Sequence, residues 1–151
     1  MLAGSIELDD DPGRVDVDVV HDFLSNEAYW AKGRSRETVE RLVHEASRVV
    51  GLYSAGRQVG FARAFTDGVA AVYLADVFVL PDFRGRGLGL ELVREMVERS
   101  PWADRKWLLH TVDAHALYRK LGFAEPNERV MERIPPTQTS ATHQPATTSL
   151  G

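Results

Sequence analysis

Apolar residues recur along this chain with two periods, and the switches between them predict its elements. Val17, Val20 and Leu24 follow Asp16 at helical spacing, although Val15, Val17 and Val19 also alternate as a strand would. Ser35 stands as a cap before Val39, Leu42, Val43 and Ala46, which recur at i, i+3, i+4 and i+7, so a second helix is expected there. Two β-like runs follow, Arg48–Ser54 and Gln58–Phe65, joined by Ala55-Gly56-Arg57 in a hairpin. A third, Ala70–Leu80, is apolar on both alternating sets and should lie centrally in a sheet covered on both faces. Its single violation is Asp76.

After Pro81-Asp82-Phe83 the chain passes through Arg84-Gly85-Arg86-Gly87-Leu88-Gly89 into a helical stripe of Leu88, Leu92, Val93, Met96 and Val97. A short strand over Trp107–Val112, a helix over Asp113–Leu121 ended by Gly122, and a last strand over Val130–Ile134 complete the prediction. Antiparallel hairpins before a strand–helix–strand unit give an α+β class with a mixed sheet.

Composition changes this picture in three places. The 17 residues from Pro135 hold three prolines, seven Ser or Thr and no Asp, Glu, Lys or Arg, too little apolar surface to offset ordering, so 1–134 is read as a single domain and 135–151 as a disordered tail. The absence of cysteine excludes a disulfide framework, a zinc-thiolate site and a cysteine nucleophile, and no metal is expected. With 18 basic and 22 acidic residues the net charge is −4, which argues against a nucleic-acid partner. No apolar run approaches the roughly 20 residues of a membrane span. Glu7, Asp9, Asp10 and Asp11 occupy the place of a signal peptide's basic region, so a soluble cytoplasmic protein is expected.

The glycine-rich turn is the strongest chemical signal. Glycines at 85, 87 and 89 leave their amides unobstructed where a helix begins and its dipole is positive, which makes an anion site. Arg84 and Arg86 add attraction for phosphate. The turn ends in Gly-Leu rather than Gly-Lys-Ser/Thr, and its spacing is G-x-G-x-G rather than G-x-G-x-x-G, so neither a Walker loop nor a dinucleotide fingerprint fits.

Val77 to Gly89 resembles the R/Q-x-x-G-x-G/A acetyl-CoA loop of the GCN5-related N-acetyltransferases (GNAT), with Arg84, Gly87 and Gly89 on the signature positions. Ala114 to Phe123 is similar to that family's A-x-x-x-Y-x-x-x-G-F segment. The resemblance implies a mixed, mostly antiparallel central sheet with helices on both faces. It also implies an enzyme that moves an acetyl group from acetyl-CoA to a primary amine of a small molecule or peptide. Backbone groups of Val77, Phe78 and Val79 would pair with the pantetheine arm, Arg84, Gly85, Arg86, Gly87, Leu88 and Gly89 would take the pyrophosphate, and Tyr118 would protonate the leaving thiolate. Members are often dimers, so a homodimer is possible on that ground. Where many relatives have Asn, seven residues before the tyrosine, this chain has Thr111. Asp113 reads as a helix cap.

The residues themselves add the rest. An alkylammonium must lose its proton before attack, and Asp76, His110 or a water relay are the candidates to take it. Tyr29 and Trp30 offer an aromatic face for an ammonium-bearing substrate. Without cysteine, direct transfer in a ternary complex is the simplest route. A non-catalytic acyl-CoA-binding module is the alternative function; it would need the loop but neither Tyr118 nor a base.

Overall fold

The computed structural model describes residues 5–136 together with the short strand Thr148–Ser149. Its elements are β1 (Ile6–Asp9), α1 (Val17–Asn26), α2 (Arg36–Glu45), β2 (Arg48–Ser54), β3 (Arg57–Thr66), β4 (Ala71–Val79), α3 (Leu88–Glu98), β5 (Lys106–Leu108), α4 (His115–Arg119) and β6 (Thr148–Ser149). Strands β1 to β4 pair antiparallel in chain order, and β5 joins β4 in parallel. The α+β class, with a mixed and mostly antiparallel sheet, is therefore as expected.

Ser35 caps α2 as read from the sequence, and Asp16, which the sequence reading did not mark as a cap, does the same for α1. The Asp16 side chain accepts from the amides of Asp18 and Val19, and Ser35 Oγ accepts from Thr38 N. The hairpin between β2 and β3 turns through Ala55 and Gly56, both at positive φ (50° and 80°), the geometry that matches strand twist.

The sheet carries a core on each face. On one, Leu88, Leu92, Val93 and Met96 of α3 pack with Tyr118 against Val50, Leu52, Val59, Leu74 and Val77. On the other, Val20, Phe23 and Leu24 of α1 and Val39 and Val43 of α2 cover Phe61 and Phe78. Phe23 stacks on Phe78 with centroids 4.2 Å apart.

Strand β4 changes face part-way. Val72 and Leu74 lie in the α3 core, and so do Val77 and Val79, whose parity is opposite. Arg63 and Phe61 of β3, two residues apart, face Ala75 and Phe78, three apart, so β4 holds one extra residue. That bulge contains Asp76 at φ 51°.

Two differences from the sequence reading concern the ends. Strand β1 was not foreseen. Its alternation is only four residues long, and it is held by Arg14, whose guanidinium bonds Glu7 (2.9 Å) and Asp9 (3.0 Å) and lies 3.9 Å over the Tyr53 ring. Val130–Ile134 is not a strand, and Val130 and Met131 are exposed. Of the tail expected over 135–151, residues 137–147, 150 and 151 lie outside the described residues; Thr148 and Ser149 pair in parallel with Val77 and Phe78 of β4.

The Arg14 cluster sets a pH response. The Arg14 guanidinium holds Glu7 below its ordinary 4.5, while the Asp11 amide and Arg14 hold Asp9 below 3.8. Lowered carboxyl values stabilise the fold above the unfolded values and cease to do so as pH falls through the folded ones. The Tm difference between the wild type and Arg14→Met should be full above pH 4.5 and close below 3.8, as followed by thermal melts.

Candidate active site

The site forms where β4 and β5 part. Their parallel register covers only Ala71 to Tyr73 against Lys106 to Leu108. Beyond Tyr73 the β5 side of β4 has, among the described residues, only β6 as a backbone partner. A cavity of about 410 Å³ opens there, walled by Tyr29, Tyr73, Leu108, His110, Tyr118 and Phe123.

At the carboxyl end of β4 the chain makes a 3-10 turn over Pro81–Phe83 and enters the glycine turn. Gly85 and Gly87 have φ of 75° and 78°, in the left-handed region, and Gly87 is the N-cap of α3 with no side chain to cap it. A Cβ at either glycine would meet nothing within 4 Å, so backbone angle rather than crowding selects glycine here. Consecutive amides in such a turn can offer an anion-binding concavity, and this one precedes the positive end of the 11-residue helix. Leu88 is buried and anchors the turn to the core. Both arginines also bond nearby backbone. Arg84 Nε reaches back to the Val79 carbonyl (2.8 Å), tying the turn to the strand end, and Arg86 bonds the Asp82 carbonyl (3.1 Å).

Val77, Phe78 and Val79 bury their side chains in the two cores, which leaves backbone, not side chain, to face the gap. Tyr118, on α4, is 1% exposed, lines the cavity and meets the Phe123 ring edge-on at 5.5 Å. Its helix begins without a side-chain cap. Thr111 Oγ1, not Asp113, accepts from Ala114 N (3.2 Å) just before it.

Asp76 is fully buried and its carboxylate is engaged on both oxygens. Trp30 Nε1 donates to Oδ1 (2.7 Å), while Arg63 Nε (2.6 Å) and Arg34 Nη1 (3.0 Å) donate to Oδ2. The candidate base thus meets the geometry of a buried ion pair with three donors, and the left-handed bulge aims it at them. Trp30, expected on a substrate face, is 5% exposed and spends its indole N–H on Asp76. Tyr29 lies at the cavity and packs edge-on against Trp30 at 5.2 Å.

His110 lies two residues beyond β5, where it shares the cavity wall with His115. Its Nε2 stands 2.5 Å from Glu132 Oε2, and its Nδ1 hydrogen-bonds the Tyr73 hydroxyl. Tyr73, Glu132, Arg34 and Arg63 were not singled out by sequence. Only the anomaly of a charge in an apolar run, at Arg63 as at Asp76, could have marked any of them. Among the described residues no group of His, Asp or Glu could hold a metal ion, and no helix is long and apolar enough to cross a membrane.

A parted strand pair, a glycine turn on a helix and a buried tyrosine coincide with a family match. Residues 26–125 fit the model described as the acetyltransferase (GNAT) domain. The chain belongs to the GNAT family. A crystal structure of a GNAT-family protein from Xanthomonas campestris pv. campestris superposes with a TM-score of 0.80 at 35% identity, covering 91% of this chain and 98% of that one. The peptidyl-lysine N-acetyltransferase YjaB of Salmonella typhimurium is 32% identical over 110 residues, 73% of this chain and 70% of that protein. Serotonin N-acetyltransferase 2, chloroplastic, of Oryza sativa subsp. japonica is 38% identical over 108 residues, 66% and 54% of the two chains. This GNAT protein is accordingly an acetyltransferase.

Proposed function

We propose that the protein transfers an acetyl group from acetyl-CoA to a primary amine of a small molecule or peptide, directly within a ternary complex. The observation that carries this reading is the edge of β4 that β5 leaves beyond Tyr73, which runs into the glycine turn at its carboxyl end, with the buried Tyr118 packed in the same core as Val77 and Val79. The relatives named for peptidyl-lysine and serotonin both act on amines, which supports the acceptor class.

The residues fit the cofactor. At Val77 and Phe78, β4 already takes an extended partner in β6, so the same edge suits an amide-bearing arm, and arm and strand exclude one another. The amides of residues 85–89 suit a pyrophosphate, each charge-assisted bond contributing about 1.5–3 kcal/mol. When bound, acetyl-CoA supplies an activated thioester. Tyr118 would hold the proton that neutralises the departing sulfur, from a buried position that shields it from bulk water. Asp76 is assigned to positioning: it fastens β3, β4 and the segment between α1 and α2 into one frame. With no cysteine in the chain, an acetyl-cysteine stage has no atom to form on.

Release of free thiol from acetyl-CoA over a panel of amines tests the reading, and thiol release that depends on the amine is expected. Binding of acetyl-CoA with no release for any amine would favour an acyl-CoA-binding module instead. Gly87→Asp probes the loop separately. Aspartate tolerates the left-handed angle at this open position, so the fold should persist while a negative charge faces the phosphates. Calorimetry should show acetyl-CoA affinity lower by about tenfold or more.

A further inference from the structure

We propose that Tyr73, His110 and Glu132 form a proton relay that draws the proton from the acceptor ammonium, with the Tyr73 hydroxyl as the group that touches the nitrogen. This inference rests on the amine-acetylation reading and supplies the base that reading lacks.

Position is the first argument. Tyr73 faces Leu108 on the last rung that joins β4 to β5, so it stands at the vertex from which the strands diverge. Tyr73, His110 and Tyr118 wall the same cavity, which puts a proton acceptor and a proton donor around one space. The Tyr73 ring is braced by Phe65, stacked at 5.1 Å.

Hydrogen-bond direction is the second. A carboxylate only accepts, so the ring nitrogen facing Glu132 must carry the hydrogen. In the neutral imidazole Nδ1 is then an acceptor, and the Tyr73 hydroxyl donates to it. Glu132, His110 and Tyr73 thus repeat the logic of carboxylate, imidazole and hydroxyl in which the acid fixes the tautomer and stabilises the imidazolium. Burial pushes the Tyr73 phenol up to about 12, against Arg63 and with help from Asp76 and Glu132. The phenol therefore keeps its hydrogen at neutral pH and serves as a conduit.

The balance closes. An N–H bond of the ammonium breaks and its electron pair stays on nitrogen, ready to attack the acyl carbon. The proton binds the Tyr73 oxygen as that hydroxyl's own proton passes to Nδ1. Neutral imidazole becomes imidazolium beside Glu132, and no charge is created or lost. The His110 and Glu132 side chains are 42% and 51% exposed, so the proton then leaves to water. Asp76 is less suited, since its oxygens already serve Trp30, Arg34 and Arg63. Other titratable or charged groups in reach are His115, Arg119 and Glu125 around the cavity and Arg63 and Asp76 behind Tyr73.

The test uses the full chain with acetyl-CoA and, as acceptors, 2-phenylethylamine and a lysine peptide. Tyr73→Phe and His110→Ala should each lower kcat by about 100-fold and Glu132→Gln by about tenfold, with acetyl-CoA affinity unchanged. Added imidazole should restore His110→Ala by about tenfold or more, and the acid limb of its kcat/KM profile should flatten. Independently of turnover, ring-nitrogen NMR of the ligand-free protein should show His110 protonated on Nε2, with that preference weakened in Glu132→Gln. Rates within about twofold of wild type in both Tyr73→Phe and His110→Ala would overturn the relay. So would an Nδ1-protonated ring, or an unrescued His110→Ala whose pH profile keeps its shape. A wild type that releases no thiol with any amine would instead sink the amine-acetylation reading, and the NMR result would still decide the hydrogen bonds.

Discussion

Tyr118→Phe should lower kcat by about 100-fold and leave the dissociation constant for acetyl-CoA unchanged. The ring is 1% exposed and packed between the α3 core and Phe123, so removing one oxygen leaves its shape and neighbours intact. The dissociable proton goes with the oxygen. A leaving thiolate with an ordinary conjugate-acid value near 8.5 departs more easily when protonated, and the penalty should shrink for thioesters of more acidic thiols. Steady-state rates with two acyl donors of different thiol pKa check this. Equal losses for both would assign Tyr118 to packing.

Asp76→Ala should destabilise the fold by about 3–5 kcal/mol, because it strands Arg34, Arg63 and the Trp30 N–H around an emptied buried position. At this chain length that corresponds to a Tm lower by roughly 10 °C. Asp76→Asn keeps the volume and the Trp30 acceptor but loses the charge that both guanidiniums face, and it should fall between the alanine variant and wild type. A catalytic base would behave in the opposite way, losing kcat at unchanged Tm. Thermal melts beside initial rates therefore separate the two roles of Asp76 in one experiment.

The sequence carried local information faithfully and long-range information hardly at all. Helices α2 and α3 were readable because their apolar stripes lie within a few residues, and Ser35 caps α2 as its chemistry requires, while the run at Val15–Leu24 suited helix and strand alike and folds as α1. The glycine turn was readable for the same reason: its backbone takes left-handed angles at 85 and 87, and only the residue type announces them. The length of β5 was not. An apolar run over Trp107–Val112 suggested a longer strand, but pairing stops at Leu108, opposite Tyr73, and the β4 bulge at Asp76 follows just beyond. Hydropathy registers neither a bulge nor the change of parity it causes. Asp76 stood out as a charge in an apolar strand, yet two of its partners lie 42 and 46 positions away. Its role follows from those partners. The Trp30 contact was hidden for the same reason, since its indole points at a carboxylate that the chain brings to it only on folding.

The two-residue strand at Thr148–Ser149 has a colloidal consequence. Beyond Tyr73 the β5 side of β4 pairs, among the described residues, only with β6, and an open sheet edge is the kind of border along which identical molecules extend one another's sheets. In this chain Thr148 and Ser149 occupy part of that border, so the protein supplies its own barrier to polymer growth. A version ended at Pro136 should self-associate as its concentration rises, and saturating it with acetyl-CoA should return it to discrete particles in light scattering.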